Sequence, residues 1–215
     1  KHHMHELAKN IEWLGHDCFF ISGSKKICTD PFQLKDAKRK ADILLISHEH
    51  FDHCSLEDIE KVSASETMIV ASPQAAKTIG KNANALKPGQ MIEIKRVKIL
   101  AVPAYNINKF RAPEKPFHPK EDQKIGFVFE LDGKRYYHAG DTDFIPEMKQ
   151  LKNIDVAFLP VSGIYVMTAE EAAEAANAIK PKLAIPMHFG SIVGSEKDAE
   201  KFKSLAKVPV EILQV

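Results

Sequence analysis

The chain has 215 residues, 44% of them hydrophobic, enough for one domain with a substantial core. Its 30 Lys and Arg against 29 Asp and Glu leave a net charge of +1, which gives no nucleic-acid or membrane-surface footprint. No apolar run reaches the length of a membrane span and the start, Lys1 to Asn10, is polar, so the expected compartment is the cytoplasm and the expected partner a small molecule.

Cys18, Cys28 and Cys54 are scattered with no C-x-x-C pair, which argues against a disulfide framework. Cys54 reads as a small buried residue rather than a ligand. Lys1-His2-His3-Met4 reads as a tag remnant ahead of a native Met. Its histidines are set aside, and residues 5–215 are taken as a single domain. Nothing in the sequence fixes an oligomeric state.

Ile11 to Ile21 reads as a hairpin or two short strands broken at Gly15, and Lys26 to Pro31 as a strand ending at proline. His16 reads as a hydrogen-bonded structural histidine, with a place in the site as the alternative. Ala41-Asp42-Ile43-Leu44-Leu45-Ile46 is a short apolar run of the kind that forms a strand buried on both faces. It delivers Ser47-His48-Glu49-His50-Phe51-Asp52-His53, which packs three imidazoles and the Asp52 carboxylate into one turn.

A solvated turn has no packing reason to hold that set, whereas neutral imidazoles and carboxylates bind zinc and similar divalent ions at about 2.0 to 2.2 Å. In extended backbone His48 and His50 point the same way, and the next turn can bring Asp52 and His53 round to a second ion. One or two ions are expected, zinc first, with manganese or iron as alternatives.

Ser55 is placed to cap a helix from Leu56, with Asp58 on the same exposed amides. Thr67 to Ala71 reads as a strand, Ser72-Pro73 opens a short helix, Lys87 to Gln90 is a turn, and Met91 to Val102 is one long strand or a pair. Pro103 to Asp122 interleaves four prolines with Lys109, Arg111, Lys115 and Lys120. A loop this long is read as an active-site flap whose cations meet an anionic substrate, or as a solvated basic loop.

Asp132-Gly133 turns a hairpin whose second strand delivers Ala139-Gly140-Asp141-Thr142. Asp155 to Val161 is a buried strand. Thr168 to Glu171 is a capping box opening an alanine-rich helix that Pro181 stops. Lys182 to Met187 is a strand carrying His188 at its end, before a last helix from about Lys197 to Leu205. No G-x-G-x-x-G, P-loop or G-x-S-x-G is present.

His48-Glu49-His50-Phe51-Asp52-His53, followed in order by Ala139-Gly140-Asp141-Thr142 and Pro186-Met187-His188-Phe189-Gly190, resembles the metallo-β-lactamase superfamily. The chain looks most like the branch of small metal-dependent hydrolases that includes ascorbate-6-phosphate lactonase and N-acyl phosphatidylethanolamine phospholipase D. The resemblance implies an α/β (α+β) chain folded as a four-layer αββα sandwich, with the site at one edge. It also implies His48, His50, Asp52, His53, Asp141 and His188 as metal ligands, Asp141 as a bridge between ions, and Asp52 or Asp141 as the group taking up a proton. Asp30 is either a carboxylate orienting a ligand histidine or a turn former before Pro31.

The family usually supplies one more histidine, and its place falls near Asn106. Three outcomes stay open: a weak first site, Asn106 as an oxygen ligand for a harder ion, or His118 entering from the flap. Diiron relatives carry glutamate where His50 stands; Glu49 lies one position earlier and points the other way, so redox chemistry is disfavoured. The implied function is a metal-dependent hydrolase whose bound water, with its pKa lowered to about 7, attacks a small anionic ester, phosphoester or lactone. Tyr105, Asn106, His118, Lys109 and Arg111 are the candidates for substrate contact. The alternative is a non-catalytic metal-binding or sensor protein with a degenerate first site.

Overall fold

The computed structural model describes residues 3–80 and 82–215, so Lys1 and His2 of the expected tag remnant lie outside the described residues. Two six-stranded sheets stack face to face. The first contains β1 (Ile11–Gly15), β2 (Cys18–Ser22), β3 (Lys26–Thr29), β4 (Ala41–Ile46), β5 (Ser63–Ala71) and β6 (Ala83–Ala85), in that order across the sheet. The chain then enters the second sheet with β7 (Met91–Ile94) and β8 (Val97–Pro103), and leaves it for a small hairpin, β9 (Phe110–Ala112) and β10 (Lys115–Pro116). It returns through β11 (Ile125–Leu131), β12 (Lys134–His138), β13 (Val156–Pro160) and β14 (Leu183–Met187), giving the order β14-β13-β12-β11-β8-β7.

Each sheet has an antiparallel half and a parallel half. In the first, β1, β2 and β3 alternate, while β3, β4, β5 and β6 run parallel. In the second, β7, β8, β11 and β12 alternate, while β12, β13 and β14 run parallel. Parallel neighbours end on the same side, so β4, β12 and β14 release their following loops at one edge of the sandwich. Open α/β sheets bind ligands beyond such carboxyl ends.

Burial explains the apolar run of β4. Ile43 and Leu45 join Phe19, Phe127, Tyr137 and Phe158 between the sheets. Leu44 and Ile46 face the other way, onto Ile59 and Val62 of α1 (Leu56–Val62) and Ala75 and Ala76 of α2 (Pro73–Ile79). A strand covered on both faces has no reason to alternate. On the far side, α3 (Ala169–Ile179) and α4 (Glu196–Leu205) pack through Ala172, Ala176, Ala199 and Phe202, completing the αββα layers. Among the described residues no helix is long and apolar enough to cross a membrane.

Met91 to Val102 is a strand pair, turned at Lys95 and Arg96 with φ of 50° and 69°. β5 starts four residues before the expected Thr67. The Thr168/Glu171 capping box forms as expected. Asp58 is a correction: its carboxylate accepts from the amides of Gln33 and Leu34 and not from the amides of its own helix, so it ties α1 to the loop after β3.

Candidate metal centre

The loops after β4, β12 and β14 converge with the β1–β2 turn and with His118 of the flap. The His50 carbonyl accepts from the amides of His53 and Cys54, both at 2.9 Å, which curls the 48–53 segment back on itself. Gly140 sits at φ 67°, and a Cβ there would stand 2.7 Å from the Ile125 carbonyl oxygen, so only glycine brings Asp141 in. His16, Asp30, Tyr165 and His188 are non-glycine residues at positive φ (52°, 34°, 70° and 63°). Such backbone costs on the order of 1–3 kcal/mol each and gathers at functional sites.

Asp141 is the hub. Its Oδ2 lies 3.4 Å from His48 Nε2, 3.1 Å from His53 Nε2 and 3.1 Å from His118 Nε2, and its Oδ1 lies 3.2 Å from His188 Nε2. The opposite ring nitrogens are engaged by the protein. His53 Nδ1 lies 2.9 Å from Asp30, His48 Nδ1 2.9 Å from Ser47 Oγ, His118 Nδ1 3.1 Å from Asn106 Oδ1, and His188 Nδ1 3.0 Å from Ser162 Oγ. The four Nε2 atoms and Asp141 Oδ1 are buried without a hydrogen-bond partner.

That pattern fits a divalent cation. A second partner on the far nitrogen fixes the tautomer and aims the near one, as for metal-ligating histidines. Two donors held at about 2.1 Å by one tetrahedral ion stand roughly 3.4 Å apart, close to the spacings around Asp141. The donors form overlapping groups: His48, His50, His118 and Asp141; His16, Asp52, His53 and His188; and Asp17, His53, Asp141 and His188.

Electrostatics agree. Burial, reinforced by His53, pushes the His48 imidazole well below its ordinary pKa and keeps it neutral, the form that binds metal. Burial works against charge on His53 too, but Asp141 and Asp52 outweigh it and hold that imidazole well above its ordinary value. For Asp141, burial is outweighed by His53, His188 and His48, which hold its carboxyl well below the usual carboxylate range. The carboxylates around these nitrogens thus attract positive charge, which a divalent cation would supply in place of the proton on His53.

Every residue expected as a ligand lies in these groups, and of the three outcomes left open near Asn106 it is His118 that stands with His48, His50 and Asp141. Asn106 instead holds His118: its Oδ1 accepts from the His118 amide at 2.7 Å, and its Nδ2 donates to the Tyr165 carbonyl at 2.9 Å. Asp30 has its orienting position beside His53 and also accepts from Ser47 N and Oγ. Glu49 faces Lys124 at 3.2 Å, away from the hub. Cys54 is buried, which raises its thiol to about 11.

The flap differs from the expected array of free cations. Lys109 is enclosed, its Nζ 2.7 Å from Asp143 and 2.8 Å from Glu171. Tyr105 donates its hydroxyl to Glu147 at 2.8 Å. Of the five residues expected to touch substrate, Arg111 alone is exposed. Ser47 and Ser162, which engage the Nδ1 atoms of His48 and His188, carry no sequence signal, because a serine is too common to stand out. His16 Nε2 is 2.8 Å from Asp52 Oδ2, so the structural histidine is also part of the centre. Asp17, with its carboxylate buried beside His53, passed unnoticed within a strand-turn-strand pattern.

Residues 10–188 match the family model described as the beta-lactamase superfamily domain. The chain belongs to that metallo-β-lactamase superfamily, whose sandwich and loop-edge centre are those described above. A UPF0173 metal-dependent hydrolase of Thermoplasma acidophilum is 33% identical over 91% of this chain and 90% of its own length. A crystal structure assigned as a metal-dependent hydrolase from Parabacteroides distasonis superposes with TM-score 0.84 at 39% identity, covering 95% of this chain and 93% of that one. One from Thermotoga maritima, assigned as a zinc-dependent hydrolase of the metallo-β-lactamase superfamily, gives 0.63 at 25% identity over 95% and 98%.

Proposed function

We propose that this chain is a metal-dependent hydrolase acting on a small anionic ester, phosphoester or lactone. The observation that carries the reading is the set of four buried Nε2 atoms gathered on Asp141 while their Nδ1 atoms are engaged elsewhere. His48, His50, His118 and Asp141 would hold one ion, and His53 and His188, which group with Asp52 on one side and with Asp141 on the other, would hold a second with those two carboxylates. Zinc is the first ion to test, with manganese and iron as alternatives. When bound, such ions supply a Lewis acid and lower the pKa of water to about 7.

The protein's own groups do the rest. Asp52 is the most accessible carboxylate of the centre, with its side chain 11% exposed and its Oδ2 against His16 and His53. We assign to its Oδ1 the proton released by the attacking water. Asp30, Ser47, Asn106 and Ser162 keep the imidazoles in one tautomer through the cycle. Exposed Phe51 and Ile192, on the loops after β4 and β14, and Tyr165, on the loop after β13 that Asn106 bonds, would give the substrate an apolar lip. Arg111 on the flap supports an anionic substrate, and the balanced net charge favours a small molecule over nucleic acid. The likeness to the lactonase branch and the three free thiols suit a reducing cytoplasm.

A non-catalytic metal protein would follow from an incomplete first site, and His118 Nε2 within that site supports the catalytic reading instead. The test begins with elemental analysis of tag-free protein. Metal-loaded enzyme is then assayed on nitrophenyl esters, bis(nitrophenyl) phosphate and sugar-phosphate lactones, with Asp141→Asn as control. Turnover that needs metal and disappears in the control is expected. A loaded protein inert on the whole panel would turn the reading toward the binding protein.

A further inference from the structure

Asp17 sits in the β1–β2 turn, 0% exposed, and both its carboxylate oxygens are buried without a hydrogen-bond partner. The backbone that carries it is pinned. Its own carbonyl accepts from Thr29 Oγ1 at 2.8 Å and is 2.9 Å from His138 Nε2, while the preceding His16 carbonyl accepts from Trp13 Nε1 at 2.9 Å. The carboxylate is 3.6 Å from His53 Nδ1, and its ligating atom lies within 4.8 Å of those of His53, Asp141 and His188.

A buried carboxylate with no hydrogen-bond donor and no Lys or Arg beside it is among the least favourable groups a core can hold. Asp17 is also one of four carboxylates packed around the hub. Asp17, Asp30, Asp52 and Asp141 are all buried, and every ion-pair contact they make among the described residues is to a histidine. Four formal negative charges without Lys or Arg match the charge of two divalent ions.

We propose that Asp17 is a further carboxylate of the metal centre, placed behind His53, Asp141 and His188 so that four buried carboxylates balance two divalent ions. The inference rests on the metal-binding part of the reading above and is independent of the substrate. The turn is pinned because the carboxylate must stay where folding alone would expel it, the expected signature of a group retained for function at a cost in stability.

The test compares wild type with Asp17→Asn and Asp17→Ser, stripped with a chelator, then titrated with zinc and with manganese by calorimetry and checked by elemental analysis. Expected are two ions in the wild type, and in the variants a loss of affinity for one of them of about tenfold to a hundredfold. The stripped variants are expected to melt above the stripped wild type. Wild-type affinity and stoichiometry in both variants would overturn the proposal, as would a single ion in the wild type.

Should neither variant fold, a crystal structure of the manganese-loaded wild type decides. An Asp17 oxygen within about 2.5 Å of an ion, or bonded to water on it, upholds the proposal, and any other placement ends it. Hydrolysis is scored apart. A wild type that loads two ions and turns over nothing removes the hydrolase reading alone, whereas turnover with unchanged loading in the variants removes this inference alone.

Discussion

His48 and His118 approach the same Asp141 oxygen, yet the segments that bring them there are held by different forces. His48 follows β4, whose Ile43, Leu44, Leu45 and Ile46 are all 0% exposed between the sandwich interior and the α1–α2 layer. Its position is fixed by packing, which is dense and little affected by pH. His118 arrives on a flap whose buried apolar residues, Ala104 and Tyr105, lie at its start, more than ten residues before the histidine. Polar contacts close that flap: Asn106 and His118 bond each other's backbone and side chain, Lys109 joins Asp143 and Glu171, and Lys124 joins Glu49. One half of the centre is thus as stable as the core, and the other depends on charge and hydrogen bonding.

The hub tests what the two halves share. Asp141→Ala removes the group both approach, and at least roughly a thousandfold loss of kcat/KM is expected, the upper scale for removing one preorganised polar group from a reacting centre. Metal content should fall with it. A variant that keeps full loading would show that the halves bind independently.

Leu45→Ala strikes the packed half. Its cavity should cost about 2–5 kcal/mol, measured as a lower urea midpoint, with metal affinity of the still-folded protein nearly unchanged. Asn106→Ala strikes the polar half and should give the reverse. We expect about tenfold to a hundredfold weaker binding of the ion near His48, His50 and His118, seen by chelator competition, with a small change in urea midpoint. If Asn106→Ala unfolds the protein as Leu45→Ala does, the contrast between the halves fails.

Acid sharpens the same contrast. Burial alone would raise the Glu171 carboxyl, but hydrogen bonds from Lys109, the Thr168 amide and Asn108 outweigh it and hold the group down to about 2. A carboxyl depressed in the folded state contributes stability above its unfolded value of 4.5 and loses it as pH falls toward 2. Wild type should therefore exceed Glu171→Gln in unfolding free energy at pH 6, and the gap should close between pH 4.5 and 2. A constant gap across that range would remove Lys109 and Glu171 from the closure of the flap.

The smallest effect belongs to Arg111, which is exposed. Arg111→Ala should leave stability within about 0.5 kcal/mol of wild type and raise KM for an anionic substrate without changing kcat. An equal rise for a neutral ester would detach Arg111 from charge recognition.

Much of this was legible in the sequence because the signals are local. The apolar run 41–46, the crowded ligands of 48–53, the Asp132-Gly133 turn and the Thr168/Glu171 box each act through neighbours along the chain, so periodicity and spacing report them directly. Motifs at three strand ends marked side chains that the structure brings together, since strands that run parallel in a sheet end together.

Only the tertiary structure decided what joins residues far apart. Asp58 binds the loop after β3 and not its own helix; Lys109 is enclosed by Asp143 and Glu171; Asn106 holds His118 and leaves the ring nitrogen to the centre. Asp17 stands beside His53 and Ser162 beside His188, each from a different sheet. Hydrogen bonds and charge pairs of this kind depend on angstrom-scale distances between segments separated by tens of residues, and no pattern in the order of the amino acids encodes those distances.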